Sequence, residues 1–210
     1  MERERVTISI KKEILRKIDQ KIDGVKMRNR SHVIELIISE SLGLSQLSRA
    51  IVMAGGKGAV RLVPIVENAI ENLKKFGFSE ITLAVGFLGD KIKQSIGDGK
   101  KFGINIDYIE GGEGTAGALL LLKNRIKKSF IVVNLEENLN LNLKNLSDFH
   151  RDHLGVATIA TKDIKTMKGY YVLEPEIFNY IPKNGFSMLE EDVFPKLAED
   201  NKLIFYPMIE

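Results

Sequence analysis

The stretch AIVMAGGKGAVRL, residues 50–62, begins as a short apolar run and then turns through three glycines. An apolar run of this length that ends in glycine is typical of a buried strand. A glycine-rich turn after such a strand is a common way of cradling phosphate. Residues 50–54 are therefore predicted to form a strand of a parallel sheet, with the turn at the carboxyl end, where such sheets bind ligands.

Beyond this turn, apolar β-rich runs alternate with amphipathic stretches. The predicted strands are residues 50–54, 80–86, 104–110, 130–135 and 156–161, and the predicted helices are residues 64–77, 88–99, 115–126 and 143–153. This alternation predicts an α/β domain over residues 49–210, with a mostly parallel sheet covered by helices on both faces.

The order of motifs in this domain resembles the sugar-1-phosphate nucleotidyltransferases. The matching stretches include AGGKG, GTAGALLLL, FIVVN, DFHRDHLGVATIAT, GYYVLEPEIFNYIP and EEDVFPKLAEDNKL. The resemblance implies a Rossmann-like fold. It also implies the family's reaction, in which a nucleoside monophosphate passes from a nucleoside triphosphate to a sugar phosphate with the help of a divalent metal.

The departures from that family concern the groups that handle phosphate and metal. The family's glycine turn continues with Gly-Thr-Arg-Leu, whereas here Ala59 follows Gly58 and Arg61 comes one position late. The segment with the family's phosphate-bridging lysine is absent, and Leu-Glu at 135–136 replaces the Gly-Asp that binds metal. Only KDIKTMK, residues 162–168, stands where the family has its Glu-Lys-Pro sugar-binding loop.

Phosphoryl transfer depends on cationic groups that neutralise developing charge, and removing one of them commonly lowers the rate by about 100-fold or more. Several such groups are missing together, so the domain is predicted to be catalytically degenerate. No catalytic residue, metal ligand or cofactor is expected.

A nucleotide could still bind to the small residues that the family uses to cradle base and ribose. The candidate ligand-binding residues are Gly55, Gly56, Gly58, Arg61, Gly114, Thr115, Ala116 and Gly117. The alternative is that these glycines only permit close packing between strand and helix, because glycine alone does not distinguish the two uses.

The first 48 residues have a different character. Residues 1–49 carry 11 basic and 7 acidic side chains, so the basic surplus of the chain lies in this segment. RVTISI, residues 5–10, alternates polar and β-branched residues and is predicted to be a half-buried strand. Two amphipathic helices are predicted to follow, the second capped by Ser31 and ended by Gly43. A single strand with so small a core requires a partner chain.

This pattern resembles the ribbon-helix-helix DNA-binding proteins, and residues 1–48 are predicted to form an intertwined homodimer of that type. The resemblance implies that the paired strands enter the major groove of double-stranded DNA. It also implies phosphate contacts at the start of the second helix. The DNA-binding residues implied are Arg5, Thr7, Ser9, Lys11, Lys12, Arg28, Asn29, Arg30 and Ser31.

The amino-acid composition limits the classes of protein to which the chain can belong. The chain has no cysteine and no apolar run of membrane-spanning length, so a cytoplasmic protein is expected. His150 and His153 in DFHRDH share helical spacing with Asp148 and Asp152, but such a charged stretch is usually a solvated helix face, and no metal is assigned to it.

Together these patterns predict a dimeric DNA-binding transcriptional regulator. Its degenerate nucleotidyltransferase domain would sense a nucleotide or sugar nucleotide, or mediate further oligomerisation. One alternative is an active sugar-phosphate nucleotidyltransferase with a DNA-binding tether. Another is an architectural or segregation protein that coats DNA without a ligand.

Overall fold

A computed structural model of the chain describes residues 4–22, 29–41, 47–55, 59–86, 89–135 and 141–208. The chain divides into two units, residues 1–46 and residues 47–210. Within the described part of the first unit, the helices are α1 (Lys12–Asp19) and α2 (Arg30–Ser41). Across the described residues, no helix is both long enough and apolar enough to cross a membrane.

The second unit is built around a seven-stranded sheet. Its strands are β1 (Arg49–Ala54), β2 (Glu80–Val85), β3 (Asn105–Glu110), β4 (Phe130–Asn134), β5 (Ala157–Thr161), β6 (Gly169–Leu173) and β7 (Leu203–Phe205). Its helices are α3 (Ala59–Lys75), α4 (Gly89–Ile96), α5 (Gly114–Leu120), α6 (Leu143–His153) and α7 (Phe194–Glu199). A π-helical turn, Leu189–Val193, leads into α7.

The sheet is mostly parallel, as predicted, with the strand order β3-β2-β1-β4-β6-β5-β7. Strand β1 pairs in parallel with β2 on one side and with β4 on the other. The chain order therefore reverses at β1, and a crevice at the carboxyl ends of these strands is where such sheets bind ligands. Strand β6 runs antiparallel to both β4 and β5 and is the reversed strand of the sheet.

Helices cover both faces of the sheet, which explains why residues 50–54 of β1 and 130–133 of β4 are all apolar. Along β1, Ala50 and Val52 pack into one core with α3 and α4, whereas Ile51 packs into the other core with α5 and α7. Residues of a strand alternate between the two faces, so a strand buried on both sides shows no polar alternation.

The prediction for α3 is wrong at its beginning, because the helix starts at Ala59 and contains Pro64. Pro64 is the sixth residue of this helix and lacks the N–H that would bond to the carbonyl four residues earlier, so one backbone hydrogen bond of the helix is absent there. Helix α3 therefore begins four residues after Gly55. Strands β6 and β7 were not predicted.

Candidate nucleotide-binding site

A cavity of about 360 Å³ lies at the carboxyl ends of β1, β2, β3 and β4. The beginning of α5 and the residue before β6 close its sides. Its described lining residues are Met53, Gly55, Ala84, Val85, Gly86, Gly111, Gly112, Gly114, Thr115, Ala118, Asn134, Leu135, Lys168 and Met188. The cavity coincides with the crevice that the sheet topology creates, which makes it the candidate functional site.

The wall between β1 and β2 is formed by backbone in close approach. A Cβ atom on Gly86 would lie 2.7 Å from the carbonyl oxygen of Gly55, so no side chain fits there. At the other wall, Gly114 has a φ of +82°, and a Cβ atom on it would overlap the carbonyl oxygen of Ser187. Exposed backbone of this kind lets a flat ligand approach closely.

A buried polar network lies beneath the cavity and is centred on Glu190, which is 6% exposed. The hydroxyl of Tyr171 donates to Glu190 Oε1 at 2.7 Å, and the hydroxyl of Thr115 donates to Oε2 at 3.0 Å. The amide of Asn134 approaches Oε1 at 3.5 Å. In turn, Thr115 Oγ1 accepts a hydrogen bond from the backbone N–H of Leu189 at 2.9 Å.

This network fixes how the polar groups of the cavity are presented. Burial, reinforced by the neighbouring charge of Glu190, raises the pKa of Tyr171 far above its ordinary value, so its hydroxyl remains a donor. Glu190 belongs to the π-helical turn, a feature that is often found at functional sites. The side chains of Thr115 and Asn134 are thus held in place where they line the cavity.

Only some of the predicted ligand-binding residues line the cavity in the structure. Gly55, Gly114 and Thr115 line the cavity. Ala116 and Gly117 instead belong to the packing of α5, where their N–H groups donate to the Ser187 carbonyl at 3.0 and 3.4 Å. Within the GTAGA motif, close packing is thus observed at Ala116 and Gly117, and ligand binding at Gly114 and Thr115 stays a prediction. Gly56, Gly58 and the side chain of Arg61 lie outside the described residues.

Asn134, Lys168 and Met188 also line the cavity and were not predicted as site residues. Asn134 carried a usable signal, since a polar residue that closes the apolar strand FIVVN must lie at its carboxyl end. Lys168 stands immediately before the motif GYYVLEP, at the end of the segment that replaces the family's sugar-binding loop. Met188 gave no signal that distinguishes it from a core methionine.

The divalent metal implied by the family resemblance finds no ligand set in the described residues. No three histidine, aspartate or glutamate side chains converge in that part of the chain. Glu136, which stands where the family has its metal-binding aspartate, lies outside it. No chemical step is therefore assigned to a metal here.

The histidines of DFHRDH serve packing. The Nε2 atom of His150 lies 3.0 Å from Glu174 Oε1, and its Nδ1 atom lies 2.7 Å from Thr158 Oγ1. Ser129 also donates to Glu174, at 2.6 Å. Partial burial opposes ionisation of Glu174, but the bonds from His150 and Ser129 outweigh it and hold the pKa of Glu174 below its ordinary value. The ring of His153 stacks on Phe149 at 3.9 Å.

In the first unit, those predicted DNA-binding residues that the structure describes are exposed, but one local prediction about them is wrong. Asn29, not Ser31, caps α2, because its Oδ1 accepts the N–H of His32 at 3.0 Å. Arg30 makes a bidentate ion pair with Asp19 of α1, at 2.7 and 2.9 Å. Residues 4–10 form no strand in the structure of this single chain, so the predicted strand of residues 5–10 is not observed.

The outer residues of that segment remain accessible. Arg5, Thr7, Ser9, Lys11, Lys12, Asn29 and Ser31 are exposed, and Arg28 lies outside the described residues. Double-stranded DNA as their partner stays a prediction that no observation tests.

Comparison with known proteins shows which proteins the chain is similar to. A family model described as nucleotidyl transferase matches residues 60–176. The chain is 26% identical to UTP–glucose-1-phosphate uridylyltransferase of Synechocystis sp., over 75% of this chain and 57% of that protein. It is 25% identical to a probable glucose-1-phosphate cytidylyltransferase of Bacillus subtilis, over 77% of this chain and 80% of that protein.

A third relative is mannose-1-phosphate guanyltransferase of Saccharomyces cerevisiae, 29% identical over 69% of this chain and 50% of that protein. The chain thus spans between half and four-fifths of the length of these relatives. Among solved structures, HddC of Yersinia pseudotuberculosis has the same fold, with a TM-score of 0.59, 19% identity and coverage of 71% of this chain and 86% of that chain.

These comparisons contradict the predicted function. The relatives are named as transferases, so a DNA-binding transcriptional regulator with an inactive nucleotidyltransferase domain is not supported, and the alternative of an active enzyme is favoured. The prediction that the domain is catalytically degenerate was based on the phosphate- and metal-binding side chains that are missing at the positions where the family has them. It overlooked that other positions, such as Asn134 and Lys168, bring polar groups to the same cavity.

Proposed function

The chain belongs to the nucleotidyl transferase family, and we propose that it transfers a nucleotidyl group from a nucleoside triphosphate to a sugar 1-phosphate. The observation that carries this proposal is the cavity at the carboxyl ends of β1, β2, β3 and β4, with its glycine walls and its cluster of fixed polar groups. The substrates named for the relatives, hexose 1-phosphates joined to uridylyl, cytidylyl or guanylyl groups, support the same class of reaction.

The walls of the cavity suit the flat part of a nucleotide. Backbone at Gly55, Gly86 and Gly114 leaves no side chain in the way, so a base can approach the main chain and form hydrogen bonds with its N–H and C=O groups. The apolar side chains of Met53 and Met188 provide surface for ring contact. Asn134 and Thr115 contribute polar contacts at fixed positions, held by Glu190.

The reaction itself is an in-line displacement at the α-phosphorus, in which the sugar phosphate oxygen attacks and pyrophosphate leaves. Catalysis of such a step rests mostly on positioning and on neutralising charge. Preorganised polar groups in a partly enclosed cavity contribute to both, because they do not have to reorganise as charge develops.

The test is a matrix of substrates with the full chain. ATP, CTP, GTP and UTP are each combined with glucose 1-phosphate or mannose 1-phosphate and magnesium, and pyrophosphate release is followed together with the mass of the sugar nucleotide. At least one pair should give equal amounts of both products. If every pair gives no more pyrophosphate than the same reaction without sugar phosphate, the proposal is wrong.

For the first unit, we propose that residues 5–10 pair with the same residues of a second copy, as in a ribbon-helix-helix dimer. The apolar residues of this segment lack cover in one chain, with Val6 72% exposed and Ile8 53% exposed. Among the residues of the unit whose side chains the structure describes, only Ile18 and Val33 are buried. A core of that size does not stabilise a separate unit without a partner.

A further inference from the structure

Glu190 connects three parts of the cavity wall, although it is not itself a lining residue. Its carboxylate contacts Thr115 at the beginning of α5, Tyr171 in β6 and Asn134 at the end of β4. Thr115 and Asn134 line the cavity, and the residue before β6 lines it as well. One buried side chain therefore joins elements that lie far apart in the sequence and share one site.

The hydrogen bonds between Glu190 and these residues have a fixed direction. A carboxylate has lone pairs but no hydrogen to donate, so each neighbour must be the donor. Thr115 gives its hydroxyl hydrogen to Oε2 at 3.0 Å, and Tyr171 gives its hydrogen to Oε1 at 2.7 Å. The Met188 sulfur lies 3.9 Å from the same Thr115 hydroxyl and is a much weaker acceptor than a carboxylate. Glu190 thus determines where the hydrogen of Thr115 points.

The Thr115 hydroxyl has only part of its hydrogen-bonding capacity left. A hydroxyl group has one hydrogen and two lone pairs. The backbone N–H of Leu189 donates to one lone pair of Oγ1 at 2.9 Å, while the hydrogen goes to Glu190. The hydroxyl of Thr115 can therefore offer a ligand in the cavity one lone pair and no hydrogen.

We propose that Glu190 is a positioning residue for nucleotide recognition, which holds the Thr115 hydroxyl so that it accepts a hydrogen bond from the bound nucleotide. The ligand atom that faces this hydroxyl must then carry a hydrogen, as a ribose hydroxyl or a base N–H group does. A base carbonyl oxygen in the same place would oppose one lone pair with another and leave both without a donor. This inference rests on the proposed function, since it presumes a nucleotide in the cavity.

Replacing Glu190 with glutamine should reverse the Thr115 hydroxyl at almost constant shape. Asn134 and Tyr171 both donate towards Oε1, so the amide oxygen of the new side chain fits best there and its NH2 group takes the place of Oε2. That NH2 group would donate to Thr115 Oγ1, whose other lone pair already accepts the N–H of Leu189. Thr115 would then offer a hydrogen and no lone pair, the opposite of the wild type.

The experiment measures nucleotide binding to the full chain by calorimetry. The variants are Glu190→Gln, Thr115→Val, Thr115→Ser and the double variant of Glu190→Gln with Thr115→Val. Glu191→Gln is the matched control, because Glu191 belongs to the same π-helical turn but is exposed. The ligands are the tightest-binding triphosphate among ATP, CTP, GTP and UTP, and its 2′-deoxy and 3′-deoxy forms. Circular dichroism melting shows whether each variant is folded at the temperature of the measurement.

Glu190→Gln and Thr115→Val should each weaken triphosphate binding by about 10-fold, the effect of one lost hydrogen bond between partly buried groups. Thr115→Ser keeps the hydroxyl and should bind like the wild type, as should Glu191→Gln. The double variant should bind within a factor of about two of Thr115→Val alone, because Glu190 acts through the hydroxyl that valine lacks. A role for Glu190 in stability alone predicts no loss of affinity in a folded variant.

The deoxy ligands identify the donor on the nucleotide. If a ribose hydroxyl is the donor, the deoxy form that lacks it should bind the wild type about 10-fold more weakly and should not respond to Glu190→Gln. If a base N–H group is the donor, both deoxy forms should lose as much affinity on Glu190→Gln as the ribonucleotide does. Either result supports the assignment of Glu190.

Other outcomes separate a failure of this assignment from a failure of the proposed function. If folded Glu190→Gln binds the triphosphate as tightly as the wild type, or if the losses of the two single variants multiply in the double variant, the assignment is overturned and the proposed function stands. Should Glu190→Gln not fold, unchanged binding by Thr115→Val overturns the assignment instead. If the wild type binds none of the four triphosphates, both the proposed function and this assignment are wrong.

Discussion

Two features require glycine at position 114: its backbone is left-handed, and the Ser187 carbonyl lies where a Cβ atom would be. Gly97 also has a left-handed backbone, with a φ of +71°, but nothing lies within 4 Å of a Cβ atom added there. We expect Gly97→Ala to lower the free energy of unfolding by about 1–2 kcal/mol, the cost of the backbone conformation. Gly114→Ala should cost clearly more, because Ser187 must move as well. Urea denaturation measures both, and equal losses would show that the Ser187 contact yields freely.

Glu174 makes stability depend on acidic pH. Its pKa in the folded protein lies below the ordinary value of 4.5, so the ionised carboxylate stabilises the fold wherever it is ionised in both states, above that value. This stabilisation is lost as pH falls below 4.5 through the folded-state pKa. The difference in free energy of unfolding between the wild type and Glu174→Gln should therefore be largest near neutral pH and shrink towards pH 3. A difference that grows on acidification would contradict the assigned direction.

At the level of elements, the proposed pairing of residues 5–10 with a second copy can be tested by mutation. Replacing both Val6 and Ile8 with glutamate should convert a dimer into a monomer, because two charges would be placed on a face that needs an apolar partner. A matched control places glutamates at Thr7 and Ser9, on the alternate face, where the dimer should survive. Sedimentation equilibrium gives the mass of each variant. A wild-type chain of monomer mass at micromolar concentration would rule out the proposed pairing.

The elements also show where sequence patterns succeed. The predicted strands 50–54 and 130–135 match β1 and β4 to within a residue, because a strand buried on both faces leaves an uninterrupted apolar run. The start of α3 was missed, since a proline favours a helix boundary and Pro64 nevertheless lies inside the helix. Strand β7 spans only Leu203–Phe205 and is too short to show a period.

At the scale of the whole molecule, the two units differ in how they are stabilised. The second unit has cores on both faces of its sheet, with helices packed against each. Residues 47–210 alone should therefore unfold in one cooperative transition, with a melting temperature close to that of the same unit in the full chain. The fragment should also be monomeric if residues 5–10 hold the dimer. Calorimetry and sedimentation test the two statements separately, and a fragment without a cooperative transition would contradict the first.

The mostly parallel α/β sheet of the second unit could be predicted, but β6, β7 and the strand order could not, and the site could be predicted only in part. Periodicity and glycine positions report on local geometry, and these correctly place Gly55 directly after β1 and Gly114 at the beginning of α5. Which side chains meet across the cavity depends on strand order. The antiparallel insertion of β6 brings Lys168 to the cavity, and the π-helical turn brings Glu190 to Thr115 and to Tyr171 of β6, and no local pattern records these contacts.

The tight hairpin between β5 and β6 offers a simple route to new specificity. Its strand register is fixed by pairs such as Thr161 with Gly169, so residues inserted between them would extend outward from the sheet edge without shifting the pairs behind them. A longer turn at this point could reach over the mouth of the pocket, and a shorter one would open it. Substrate choice in this scaffold can thus diversify, by evolution or by laboratory selection, through the length of one loop.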